Sequence, residues 1–102
     1  MWYKVMMEFD FSRKKNAKLI KERGIGFEDV ISVIHEGKLL DVLQHPNKDK
    51  FNHQIIYIVD IAGYAYVVPA VESEEKIYLK TVYPSRKATK QYILGGDYGK
   101  RH

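Results

Sequence analysis

The apolar positions along this chain change period about a third of the way in. In FEDVISVIHE, Phe27, Val30, Ile31 and Ile34 recur at i, i+3, i+4 and i+7, which predicts a helix over residues 27–36 with one buried face. Glu28 and Asp29 suit its first turn, where negative charge meets the positive dipole end, and Gly37 supplies a stop. Upstream, RKKNAKLIKER is rich in helix formers. Asp10 or Ser12 can cap it, and Gly24 can end it in a left-handed conformation. Ala17 and Ile20 share one side of this helix, with Leu19 beside them, and Gly24-Ile25-Gly26 reads as the turn between the two helices.

From Lys38 onward the pattern becomes that of strands. LLDVLQH, QIIYIVDI, YAYVVPAV and KIYLKTVY are predicted strands, with the β-branched QIIYIVDI well buried. Ala62-Gly63 and the SEE turn are short, so neighbouring strands should run antiparallel. HPNKDKFNH reads as a polar loop, WYKVMMEF as a short strand, and Pro69, which cannot donate to a ladder, as an edge position or a bulge. In YPSRKATKQY, Ser85 can cap a short helix. Ala88, Thr89, Tyr92 and Ile93 then form its apolar arc, opposite Arg86, Lys87 and Lys90. The expected fold is α+β: two N-terminal helices packed on an antiparallel sheet of about four strands, with a short C-terminal helix. One domain would span residues 1–94, followed by a flexible tail, GGDYGKRH, at 95–102.

Composition narrows the classes. At 102 residues with 45% hydrophobic positions, the chain can build one core. It contains no apolar run of membrane-spanning length, and Glu8 and Asp10 interrupt what an export signal would require, so no membrane association is expected. The absence of cysteine removes disulfides and thiolate metal sites and suits a cytoplasmic protein. Charge is segregated. Residues 1–23 carry seven Lys/Arg against three Asp/Glu, residues 24–75 three against nine, and residues 76–102 seven against one. Basic ends around an acidic middle suit a polyanion on one surface and a basic partner on another, although solvated charged faces would look the same.

Candidate chemistry lies in the last third. Alternation along KIYLKTVY points Ile77, Leu79, Thr81 and Tyr83 one way and Lys76, Tyr78, Lys80 and Val82 the other. Lys76, Tyr78 and Lys80, followed by Arg86, Lys87 and Lys90, combine phosphate-binding cations with a ring on which a base can stack. The alternative is a solvated edge strand protected from aggregation by its lysines. His45 and His53 bracket the polar loop but are eight residues apart with only Asp49 between them as a carboxylate, so no metal site is expected. His35 suits the negative end of its helix. Glu72, Glu74 and Glu75 read as a solvated turn. No nucleophile elbow, phosphate loop, dinucleotide fingerprint or zinc-protease motif occurs, and no cofactor is expected.

Two stretches in order, MEFDFSRKKNAKLIKERGIGFEDV and YPSRKATKQY, resemble BrnT-type toxins of bacterial toxin–antitoxin modules. The first is similar to that family's N-terminal helix leading through K-x-G-[IV]-x-F-E-E into a second helix, and the second to its S-A-R-x-A-T run after the last strand. The resemblance covers most of residues 7–92. It implies a RelE-like fold, a metal-independent ribonuclease that halts translation, and neutralisation by a cognate antitoxin that binds DNA. Arg86 matches the arginine of the S-A-R run, Lys87 the basic residue after it, and Lys80, more loosely, a basic position on the last strand.

RNA cleavage of this kind needs a base for the ribose 2′-hydroxyl, cations for the phosphorane and an acid for the leaving 5′-oxygen. Arg86 and Lys80 are the expected cations, His45 or Tyr83 the base or acid, and Lys76, Tyr78, Lys87 and Lys90 further RNA contacts. Two other readings share the scaffold: a nucleic-acid-binding module without catalysis, and a protein-interaction domain. Trp2, the tyrosines and an edge at Pro69 leave a homodimer open.

Overall fold

A computed structural model describes residues 8–44, 54–73 and 75–94. His45, the HPNKDKFNH loop, Trp2 and the GGDYGKRH tail lie outside the described residues. The chain runs β1 (Glu8–Phe11), α1 (Arg13–Arg23), α2 (Phe27–His35), β2 (Leu39–Gln44), β3 (Gln54–Ile61), β4 (Tyr64–Glu72), β5 (Lys76–Leu79), β6 (Tyr83–Pro84) and α3 (Arg86–Ala88). A π-helical turn, Thr89–Ile93, extends α3.

Both N-terminal helices form for the local reasons their sequences give. The Ser12 hydroxyl accepts from Lys15 N at 3.1 Å, and Gly24 ends α1 at φ 74°. Leu19 is the buried residue of α1, whereas Ala17 is exposed and Ile20 half-exposed. On α2, Phe27 and Val30 are fully buried and Ile31 and Ile34 pack beside them. A side chain of the preceding helix also caps α2: Asn16 Oδ1 accepts from Phe27 N at 2.7 Å. Gly26 is required there, because a Cβ would sit 2.5 Å from that same oxygen.

Among the described residues the sheet has six strands rather than about four, and it is mixed rather than antiparallel. Its order is β1-β5-β4-β3-β2, with β6 also on β4. The four expected strands are all present. The fifth arises because β1 pairs with β5 in parallel, Phe9 opposite Ile77 and Phe11 opposite Leu79, and the sixth because the last strand divides into β5 and β6. The β3–β4 hairpin turns at Ala62 and Gly63, both at positive φ, and Asp60 Oδ1 accepts from Gly63 N at 2.9 Å.

Each face of the sheet carries a core. On one face Tyr57, Val59, Val68, Ile77 and Leu79 pack with Leu19, Phe27 and Val30 of the N-terminal helices. On the other, Ile58, Ala65 and Val67 pack with Ala88, Tyr92 and Ile93, so the C-terminal helix lies on the opposite side from α1 and α2. No helix among the described residues is long and apolar enough to cross a membrane.

Pro69 is not at an edge, since β4 lies between β3 and β5. It ends a ladder instead. Lys80 N donates to Pro69 O at 2.9 Å, but Pro69 has no N–H to return the bond, and β5 stops. The pairing then slips by one residue. Ala70 faces Leu79, but Val67 faces Tyr83, so Thr81 and Val82 together oppose Val68.

Candidate nucleic-acid interface

The slip at Thr81–Val82 builds the site. In a regular strand Val82 would share a face with Lys80, and Tyr83 would point the opposite way. One extra residue inverts that parity. Val82 turns into the helix-bearing core, where it is 1% exposed, and Tyr83 comes opposite Val67 on the other face. The expected placement of Val82 and Tyr83 is therefore corrected, while Lys76, Tyr78 and Lys80 keep theirs. Tyr83 joins the strip Lys76, Tyr78 and Lys80, and Tyr78 and Tyr83 are both about two-fifths exposed.

The C-terminal helix starts from the end of this strip. Ser85 Oγ accepts from Ala88 N at 3.0 Å, the capping bond expected from sequence. Ala88 and Thr89 are buried and Arg86, Lys87 and Lys90 exposed, as the 100° spacing predicts. Two backbone bonds of one β4 residue fix the helix to the sheet: Ser85 N donates to Ala65 O at 3.0 Å, and Ala65 N donates to Thr89 Oγ1 at 2.9 Å. Thr89 Oγ1 in turn donates to Ser85 O at 2.8 Å. Nearer the C-terminus, Tyr92 Oη donates to Asp41 Oδ2 at 2.6 Å. That hydrogen bond, reinforced by burial and by the Asp41 charge, pushes the Tyr92 hydroxyl up to about 12. Tyr92 is therefore a neutral strut at physiological pH. The Ser85–Thr89 hydroxyl pair, at i and i+4, was a sequence signal for this anchoring; the Asp41 contact, 51 residues away, had none.

The strip is electropositive with two exceptions, Glu8, in register with Lys76, and Asp10. Asp10 pairs in register with Tyr78, and its carboxylate lies 4.0 Å from Lys76 Nζ. The local pattern marks Asp10 as a helix cap and gives no sign of its place on this face. Among the described residues no carboxylate pairs with Lys80, Arg86, Lys87 or Lys90. Tyr83, Lys80 and Arg86 thus share one face and the helix start that follows it. His45, the other base or acid candidate, lies outside the described residues. The single described histidine, His35, packs against Phe9 on the helix-bearing side, 6.2 Å between ring centroids. Among the described residues no group of three His, Asp or Glu could hold a metal ion. Chemically, unpaired cations beside exposed phenols can bind phosphate, stack bases and stabilise added negative charge on phosphorus.

No family model, curated protein or solved structure matches the chain.

Proposed function

We propose that this protein is an RNA-cleaving toxin of the BrnT type with a RelE-like fold, acting on single-stranded RNA without a metal and restrained by an antitoxin. The carrying observation is the one-residue slip opposite Val68, which sets Tyr83 on the face of Lys76, Tyr78 and Lys80, just before Arg86. A ribose 2′-oxygen attacks the adjacent phosphorus as its proton is drawn off. Lys80 and Arg86 stabilise the phosphorane, and the P–O5′ bond breaks with a proton delivered to the leaving oxygen. Tyr83 serves one of these transfers through its hydroxyl, Tyr78 stacks a base, and Lys76, Lys87 and Lys90 hold flanking phosphates. The products are a 2′,3′-cyclic phosphate and a free 5′-hydroxyl. The antitoxin is a chain with a basic segment, attracted to exposed Glu28, Asp29 and Glu36.

The test is cleavage of end-labelled RNA in chelator, with growth arrest on induced expression alongside. Arg86→Ala and Lys80→Ala should each lower the cleavage rate about 10²–10³-fold while the protein stays folded, the usual loss on removing a group that stabilises developing charge. Undiminished cutting by folded Arg86→Ala would overturn the assignment. The second reading, an RNA-binding module without catalysis, draws on the same exposed Lys80, Arg86, Lys87 and Lys90 and the exposed rings of Tyr78 and Tyr83, which hold phosphates and stack bases without any proton transfer. It predicts salt-sensitive binding with intact RNA.

A further inference from the structure

Beyond the sheet face, α1 carries cations that the cleavage chemistry does not use. Lys15, Lys18 and Glu22, at i, i+3 and i+7, fall on one face of α1 above the buried Leu19. With Arg23 and Thr81 they line an open depression of about 150 Å³. At about 30 Å³ per water, that is room for a hydrated phosphate group. Three cations against one carboxylate leave it positive, and Thr81 adds a hydroxyl.

Thr81 is what connects this depression to the strip. It is the residue released by the slip, and it directly follows Lys80, whose backbone is still bonded to Pro69. Thr81 keeps the regular alternation and sits on the helix-bearing side, so the depression and the strip lie on opposite faces of the sheet. β1 ends at Phe11, opposite Leu79, which leaves Lys80 and Thr81 at the sheet's edge between them. The basic N-terminal and C-terminal segments, far apart in sequence, meet at Thr81.

We infer that an RNA strand bound on the sheet face wraps over the sheet's edge at Lys80 and Thr81 into the α1 groove on the other face, where Lys15, Lys18 and Arg23 hold the phosphates of its flanking nucleotides. This extends the proposed ribonuclease reading from a cutting site to a longer single-stranded track, and it rests on that reading for the strand's entry point.

The experiment compares fluorescence anisotropy of 2′-O-methyl oligouridines, which cannot be cut, at four and at twelve nucleotides. Wild type is set beside Lys15→Gln/Lys18→Gln/Arg23→Gln and beside Lys80→Gln/Arg86→Gln. All five residues are exposed, and unchanged circular dichroism and melting check each fold. The α1 variant should bind the four-mer as wild type does but the twelve-mer at least 10-fold more weakly. Its slope of log affinity against log salt should fall by about 2, from three lost contacts at roughly 0.7 each. An α1 variant that keeps wild-type affinity and slope for the twelve-mer overturns the groove. If the Lys80/Arg86 variant binds both lengths normally while the α1 variant loses the twelve-mer, the sheet-face reading falls and the groove stands as a separate RNA site. No binding of either length by wild type overturns both.

Discussion

Replacing Thr89 with valine isolates the anchoring of the C-terminal helix. The side chain is 4% exposed, and its hydroxyl makes two bonds, accepting from Ala65 N at 2.9 Å and donating to Ser85 O at 2.8 Å. Valine preserves the shape, so no cavity opens. Ser85 O also keeps a bond from Thr89 N at 3.0 Å and is not orphaned. The cost falls on the Ala65 amide, left in a buried site without an acceptor, and should be about 2 kcal/mol within the 1–3 kcal/mol expected of such a group. For a domain of this size that is a fall in melting temperature of roughly 10 °C. Urea unfolding measures the free energy, and hydrogen exchange at the Ala65 amide reads the bond itself. A loss below about 0.5 kcal/mol, the range of an ordinary surface substitution, with Ala65 protection unchanged would refute the anchoring. RNA affinity should also fall, because Arg86 and Lys87 ride on the loosened helix.

Gly26→Ala should destabilise by about 1–3 kcal/mol, since its Cβ would sit 2.5 Å from Asn16 Oδ1 and 2.8 Å from Ile20 Cγ1 and push Asn16 off Phe27 N; urea unfolding is the check. Tyr92 ties stability to high pH. Its hydroxyl titrates near 10 when unfolded and about 12 when folded, so the fold holds the proton more tightly. That contribution is complete below pH 10 and is lost as pH rises toward 12, and thermal melts of Tyr92→Phe should lack this component. Asp10→Asn removes the carboxylate beside Lys76 and should tighten RNA binding in anisotropy titrations. Its stability should change by less than about 1 kcal/mol, because the 4.0 Å ion pair is exposed.

The residues that were legible in sequence are those whose environment is set by near neighbours. Ser12 and Gly24 bound α1, Phe27 and Val30 face inward on α2, Ala62-Gly63 turns the hairpin, and Ser85 caps a helix whose cations face out. Each depends on backbone bonds or side-chain spacing within about one turn or one hairpin. The candidate strip was legible for the same reason as far as Lys80, because strand alternation is local. Beyond Lys80 it was not. Which way Val82 and Tyr83 point depends on a strand more than ten residues upstream, where Pro69 has no amide to continue the ladder and Val67 re-pairs one residue out of step. The parallel seat of β1 beside β5, the Asn16 cap on α2, the Asp41 partner of Tyr92 and the side of the sheet taken by the C-terminal helix are likewise contacts between distant segments. The sequence alone determined the two N-terminal helices, the β3–β4 hairpin and the wet face of the C-terminal helix, but not the six-stranded mixed sheet, the burial of Leu19 instead of Ala17 and Ile20 on α1, or the faces of Val82 and Tyr83. The tertiary structure decided which faces were brought together, because register and packing are settled by what a remote segment offers and not by the pattern of the segment itself.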